Sequence, residues 1–325
     1  MHCCHRRRKT TRPNLLHSTY HFGVTSRNEY VFASSSDDRT FKTLPPSNPI
    51  TLTITTPRNG DTISRSDVRV EGTLTNAQGY ETGVTVNGIL AQVYGDKFSA
   101  NHVPLAEGSN PIKVTATDVK GNTQAAEIAV SAVKADHYIR ISANGESGLA
   151  PLEPVLTIDS SLDLTDASLT YTGPGEAELI SREGKEYRFK ISAEGAYNFI
   201  AQVADPDGRI YEDTLALMVF SKEQINTLLV GKWEGMKAAL DSQDSEKAVL
   251  NFAPGSQEIY KKQFNALKPF LSEIAKELNS AQMNLVDMDN RKAEYELLVE
   301  RDGVPLSFSL KFIKDQNGLW KIWRY

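Results

Sequence analysis

The chain has 6 His and 2 Cys, and their positions limit the chemistry it can run. His2, Cys3, Cys4 and His5 stand together at the start; they are metal-ligand types but lack the spacing of a closed zinc site, so no metal is expected there. The remaining histidines are His17, His21, His102 and His137. None falls in the last third of the chain, and no cysteine does either, so neither a His-paired nucleophile nor a His-based metal site is expected there. Carboxylates remain for acid–base work. Asp287, Asp289 and Glu296 would serve as bases if buried, but nothing in their spacing selects them over solvated strand-end charges. Asp205 with Asp207, and Asp118 beside Lys120-Gly121-Asn122, have calcium-ligand chemistry. Each falls short of the roughly six to eight oxygens that Ca²⁺ takes, and tight turns account for both.

Binding chemistry rests on aromatic residues. Tyr80 and Tyr94, with Phe98, would make a platform for sugar rings. Trp233, Tyr295, Phe308, Trp320 and Trp323 would line a ligand pocket in the C-terminal part. Core packing competes with function in both sets, because Phe98 alternates with its neighbours as a core residue does and Trp233 and Trp320 are more simply core. No catalytic residue, cofactor or metal is assigned.

These residues must be positioned by elements, and composition bounds those first. A length of 325 residues predicts about two or three domains. Net charge is −5, with 40% hydrophobic and 24% charged residues, so nothing draws the whole chain to nucleic acid. No apolar run is long enough for a transmembrane helix. Cys3 and Cys4 are adjacent, a spacing that rarely bridges, so no disulfide is expected in the folded part. That fits either the cytosol or a bacterial envelope.

Residues 1–49 read as a disordered leader. Arg6, Arg7, Arg8, Lys9 and Arg12 form a basic cluster, and Ser- and Pro-rich runs follow. Leu15-Leu16 is too short for the apolar stretch of an export signal, so no signal peptide is recognised and the true start stays open.

Residues 50–133 predict an all-β sandwich. Short alternating runs are separated by turn signals, above all Asn87-Gly88, which favours a two-residue hairpin. In this stretch Thr56-Pro57-Arg58-Asn59-Gly60, Val70-Glu71-Gly72-Thr73, Val84-Thr85-Val86-Asn87-Gly88, Val103-Pro104-Leu105-Ala106-Glu107-Gly108 and Val114-Thr115-Ala116-Thr117-Asp118 resemble bacterial immunoglobulin-like domains of the glucodextranase domain B type. The resemblance implies a non-catalytic accessory domain of an exported protein, with no catalytic residues to carry over.

Residues 135–220 predict a second sandwich by the same pattern. Gly148-Leu149-Ala150-Pro151-Leu152 and Gly195-Ala196-Tyr197 through Asp205-Pro206-Asp207-Gly208 resemble a PKD-like repeat, without the family's central aromatic-x-Phe-Gly-Asp turn. From residue 221 to 325 the period switches to 3.6. Ser221 with Gln224 reads as a capping box, and Ile225, Leu228, Leu229, Trp233, Met236 and Leu240 form one stripe. Gly231 and Gly235 weaken this helix, by about 1 kcal/mol each if exposed, and leave room for a neighbour to approach. A second helix is expected over Glu246–Phe252, stopped by Pro254-Gly255, and a third after Ser256 with a break at Pro269. Four strands follow, with Trp320 and Ile322 on one face of the last and Trp323 and Tyr325 on the other. Helices before an antiparallel meander are an α+β layout that resembles NTF2-like or cystatin-like folds.

The fold class expected is therefore multi-domain: two immunoglobulin-like sandwiches, then an α+β cone. The resemblances imply an extracellular, periplasmic or envelope protein whose spacers present the cone to a protein or polysaccharide partner, with no nucleic-acid partner and no catalysis. A carbohydrate-binding accessory role and an enzyme working in the cone pocket are the alternatives.

Overall fold

The computed structural model describes residues 48–289, 291–301 and 303–325, and four short strands before them. The chain forms two compact units, Met1–Asn48 and Pro49–Tyr325. In the first, β1 (Thr19–Phe22) pairs antiparallel with β4 (Arg39–Lys42), and β2 (Thr25–Arg27) pairs with β3 (Ala33–Ser35). Regular structure was not expected in this stretch; β-favouring Tyr20 and Phe41 are register partners in the β1–β4 pair. The basic cluster, Cys3, Cys4 and Leu15-Leu16 lie outside the described residues.

The second unit begins with a sandwich. Its strands are β5 (Ile50–Thr56), β6 (Thr62–Ile63), β7 (Asp67–Asn76), β8 (Thr82–Val86), β9 (Ile89–Leu90), β10 (Gln92–Tyr94), β11 (Lys97–Pro104), β12 (Gly108–Asp118) and β13 (Thr123–Ala132). They form two sheets, β10-β11-β7-β5 and β6-β13-β12-β8-β9. Inward positions alternate as strand geometry requires, burying Val70, Val84, Val86, Phe98, Val103, Ile112 and Val114 between the sheets. Asn87 and Gly88 both take positive φ and join β8 to β9, the hairpin that the dipeptide predicts.

A second sandwich follows: β14 (Ile139–Ala143), β15 (Ser147–Leu149), β16 (Val155–Ser160), β17 (Ser168–Thr172), β18 (Ala177–Glu183), β19 (Glu186–Ile191), β20 (Gly195–Ala204) and β21 (Ile210–Phe220). Its sheets are β14-β16-β19-β18 and β15-β21-β20-β17, closed over Ile141, Leu156, Phe189, Tyr197, Phe199 and Leu217.

The last part is α+β: α1 (Lys222–Asp241), α2 (Ser245–Val249), α3 (Pro254–Ala266) and α4 (Leu271–Asn279), then β22 (Gln282–Met288), β23 (Lys292–Arg301), β24 (Val304–Lys314) and β25 (Trp320–Arg324) in a meander of sequential order. Ser221 Oγ accepts the Gln224 N–H and starts α1. The predicted stripe is inward, with Ile225, Leu229, Trp233, Met236 and Leu240 buried. Three details differ from expectation. Pro254 opens α3 at its first turn, where its missing N–H costs nothing, and so does not merely end α2. A Cβ built on Gly231 would meet nothing within 4 Å, so no close neighbour explains it, whereas one on Gly235 would stand 3.7 Å from Asn251 Oδ1. A register shift between Lys311 and Phe312 puts Arg324 opposite Lys311 and Ile322 opposite Phe312. That bulge turns Tyr325 inward, onto Trp233 and Tyr260, although simple alternation predicts the opposite face. Pro269 breaks the helix as expected, through a 3-10 turn at Lys268–Phe270.

The three parts share buried contacts. Ala216, Met218 and Phe220 at the end of β21 enter the core under α1. Asn101 links the two sandwiches, its amide donating to the Ala216 carbonyl and accepting the Ala216 N–H, each at 2.9 Å. Beside it Asp213 takes Arg65 at 2.7 Å, His102 Nε2 at 3.2 Å and the Ile141 N–H at 2.8 Å. Burial pushes the Asp213 pKa up, but the His102 hydrogen bond and the Arg65 charge outweigh it and hold it below the usual carboxylate range. The first sandwich also meets the α+β part. Glu81 pairs with Lys232 at 2.5 Å and accepts the Trp320 N–H at 2.8 Å. Gly83 lies so close to the Asn317-Gly318 turn that a Cβ there would overlap the Asn317 carbonyl oxygen.

Candidate functional site

Along β23 the inward residues Ala293, Tyr295 and Leu297 are buried, while β24 buries Leu310 and Phe312. Beyond them Val299 and Leu306 are only partly buried. Val299, Leu306 and Phe308 then face Leu278 of α4 and Ala281 across a groove of about 460 Å³, closed at one side by Tyr325. Phe308 is 52% exposed. Glu277 and Ser280 rim the helical wall and Glu300 the strand wall. The two glutamates are exposed. Under the groove the Tyr325 ring packs edge-on against Trp233, with centroids 5.0 Å apart, and stacks on Tyr260 at 5.4 Å. Burial drives the Tyr325 phenol pKa upward, and the neighbouring Tyr260 adds to it.

The five aromatic residues chosen from sequence are therefore not convened in one site. Phe308 lines the groove. Trp233 and Tyr295 are buried in the core beside it, and neither the Trp233 indole N–H nor the Tyr295 hydroxyl has a hydrogen-bond partner among the described residues. Burial raises the Tyr295 pKa. Trp320 is buried where the first sandwich docks, under Lys314, whose Nζ sits 5.3 Å from the ring centroid. Burial lowers the Lys314 pKa to about 8, against the pull of Glu81. Trp323 lies on the opposite sheet face, in a depression of about 350 Å³ with Asp287, Asp289, Glu294, Lys311 and Arg324. The Arg324 guanidinium stacks on its ring at 4.6 Å.

The expected sugar platform is not a row either. Phe98 is 1% exposed, because its position in β11 faces the sandwich core. Tyr94 packs on Phe220 with centroids 5.8 Å apart, and Tyr80, 38% exposed, holds Lys120 over its ring at 5.5 Å. The acidic candidates also have local work. Asp289 accepts the Arg291 and Lys292 N–H groups, and Glu296 accepts Ser307 Oγ at 2.7 Å. Asp205 accepts the Asp207 and Arg209 N–H groups, and Asp118 those of Lys120 and Asn122. Among the described residues, no group of three or more His, Cys, Asp and Glu is arranged to hold a metal ion.

Sequence reasoning missed Leu278, Ala281, Leu297, Val299, Leu306 and Tyr325. A usable signal was present: the apolar alternation of β23 and β24 runs on through Val299 and Leu306.

Comparison with known proteins places one part of the chain. Residues 50–134 match the family model described as glucodextranase, domain B. No curated protein matches the chain. Solved structures with some likeness include fibronectin(III)-like modules of Clostridium thermocellum CbhA, 16% identical, covering 53% of this chain and 96% of that one, TM-score 0.21. A chimeric titin Z1Z2-Z1Z2 tandem is 13% identical and covers 53% of this chain and 100% of that one, TM-score 0.20. Bacteroides ovatus SGBP-B, of a mixed-linkage glucan utilization locus and solved with a mixed-linkage heptasaccharide, is 14% identical, covering 54% of this chain and 48% of that one, TM-score 0.20. At such TM-scores these likenesses carry no argument. The paired sheets at the start of the second unit, together with the family match over the same residues, make the first module an immunoglobulin-like β-sandwich similar to glucodextranase domain B.

Proposed function

We propose that this is a non-catalytic, modular protein of the cell exterior whose two sandwiches hold the α+β part in a fixed position, so that its groove binds a partner. The observation that carries the reading is the open apolar groove with Phe308 half in solvent. Burying such surface is worth about 25 cal/mol per Å², and a soluble chain gains by covering it. The non-catalytic part of the reading rests on the ionisable groups that reach the groove: two exposed rim carboxylates, and a tyrosine whose pKa is driven further from neutrality. The extracellular part rests on the likeness of the first module to an accessory domain.

Anilinonaphthalene sulfonate, an apolar-site dye, tests the groove in the whole chain. The native protein should brighten the dye, and Phe308→Asp, at a position outside the packed core, should abolish this with the thermal midpoint unchanged. Equal brightening in both proteins would remove the groove as the site.

A carbohydrate-binding role is the second reading, supported by the partly exposed Trp323 among polar groups on the outer sheet face. Retardation of the native chain, but not of Trp323→Ala, in a gel containing mixed-linkage glucan would favour it.

A further inference from the structure

The groove has a polarity that narrows its partner. Its walls are Leu278, Leu297, Val299, Leu306 and Phe308, and the two charges on its lining are both negative. They stand on opposite walls, Glu277 on α4 and Glu300 on β23. Neither carboxylate has an ion-pair partner among the described residues, whereas Glu81, Glu234, Glu246 and Glu294 each have one. Two carboxylates on the rim of an apolar channel raise the local negative potential, and the net charge of −5 adds to it at longer range.

This arrangement discriminates between classes of occupant. A fatty acid or an anionic lipid would bring its own negative head group to the acidic rim, and like-charge juxtaposition is repulsive. A neutral apolar ligand would gain nothing from the rim. A peptide with bulky apolar side chains and lysine or arginine beside them satisfies both parts: the apolar side chains fill the channel and the cations meet the carboxylates. The volume of about 460 Å³ lies within the roughly 300–1,000 Å³ range of sites that enclose a ligand.

We infer that the groove between α4 and the β23–β24 hairpin docks a basic–apolar peptide segment of a partner protein, with Glu277 and Glu300 receiving its Lys or Arg side chains. The inference rests on the groove being a binding site, and it adds the chemistry of the occupant.

The test uses the full chain and a fluorescein-labelled short peptide of alternating leucine and lysine pairs, read by fluorescence anisotropy. Twins carry glutamine or glutamate in place of lysine, and dodecanoate is the competing lipid. The lysine peptide should bind tightest and the glutamate twin weakest. Two exposed ion pairs of about 0.5 kcal/mol each predict that the double variant Glu277→Gln, Glu300→Gln weakens the lysine peptide about fivefold. The glutamine twin should be unaffected by that variant, and added salt should weaken the lysine peptide alone. Phe308→Asp should abolish binding of all three. Lysine and glutamine peptides binding equally, or dodecanoate displacing the lysine peptide at lower concentration than the unlabelled peptide does, would overturn the inference and leave the groove as an apolar site. No binding of any probe to the native chain would overturn both. The two glutamates are exposed and have no ion-pair partner among the described residues, so their variant keeps the test valid even if Phe308→Asp folds poorly.

Discussion

Tyr295 shows how a buried residue can be out of balance with its surroundings. Its ring fills the α+β core against Phe312, with centroids 5.7 Å apart, but its hydroxyl is buried without a partner among the described residues. An unmatched hydroxyl costs about 1–3 kcal/mol, so Tyr295→Phe should raise the unfolding free energy by about 1 kcal/mol, seen as a higher thermal midpoint. A lower midpoint would mean that the hydroxyl has a partner. Lys314 is out of balance in charge. Its folded pKa, about 8, lies below that of a lysine in an unfolded chain. The folded state therefore gives up a proton that the unfolded state keeps, and stability rises as pH climbs from about 8 towards 10. Below about 8 the penalty of the buried charge is fully present. Denaturant titrations at pH 7.5 and 9.5 should show this rise in the native chain and a smaller one in Lys314→Gln. An unchanged rise in the variant would assign it to other groups.

At the scale of elements, local chemistry was readable wherever a dipeptide or a cap fixes the backbone. Asn87-Gly88 predicted its hairpin, Ser221 its cap and Pro269 its break, because each acts through its own neighbours. Prediction failed where a distant strand decides. Nothing near Tyr325 announces the register shift at Lys311–Phe312 that turns its ring inward, since the shift belongs to the pairing of β24 with β25. Pro254 was misplaced for a smaller reason: a proline that ends one helix and one that begins the next look alike in sequence. Gly231 offers a direct measurement. It sits inside α1, exposed and with open space around it. Gly231→Ala should therefore stabilise the protein by about 1 kcal/mol, through lower chain entropy in the unfolded state. A loss of stability on denaturant unfolding would show that something does approach this position.

For the whole molecule, the two sandwiches and the helices-then-sheet order were legible because periodicity and turn residues are local. The packing of the first sandwich on the last part was not. It depends on Glu81, Gly83, Lys232, Asn317 and Trp320, which are scattered along the chain and carry no shared pattern. For the same reason the groove escaped notice while buried tryptophans drew attention: size marks a residue in sequence, but only packing shows whether it is reachable. Gly83→Val should separate the first and last parts, with Trp320 fluorescence shifting to the red as its surroundings become wet, while the hairpin at Asn87 persists by circular dichroism. An unshifted emission maximum would mean that the contact tolerates the added side chain. The Glu81 clasp has a mechanical consequence. If the chain is stretched between Ile50 and Tyr325, the load falls on the few contacts around Glu81 and Asn317 as well as on the many strand pairings of the sandwiches, and the smaller set should yield first. A force–extension trace should then open with one small, early rip from the clasp letting go, and the protein would lengthen in a step at loads too low to unfold its sheets.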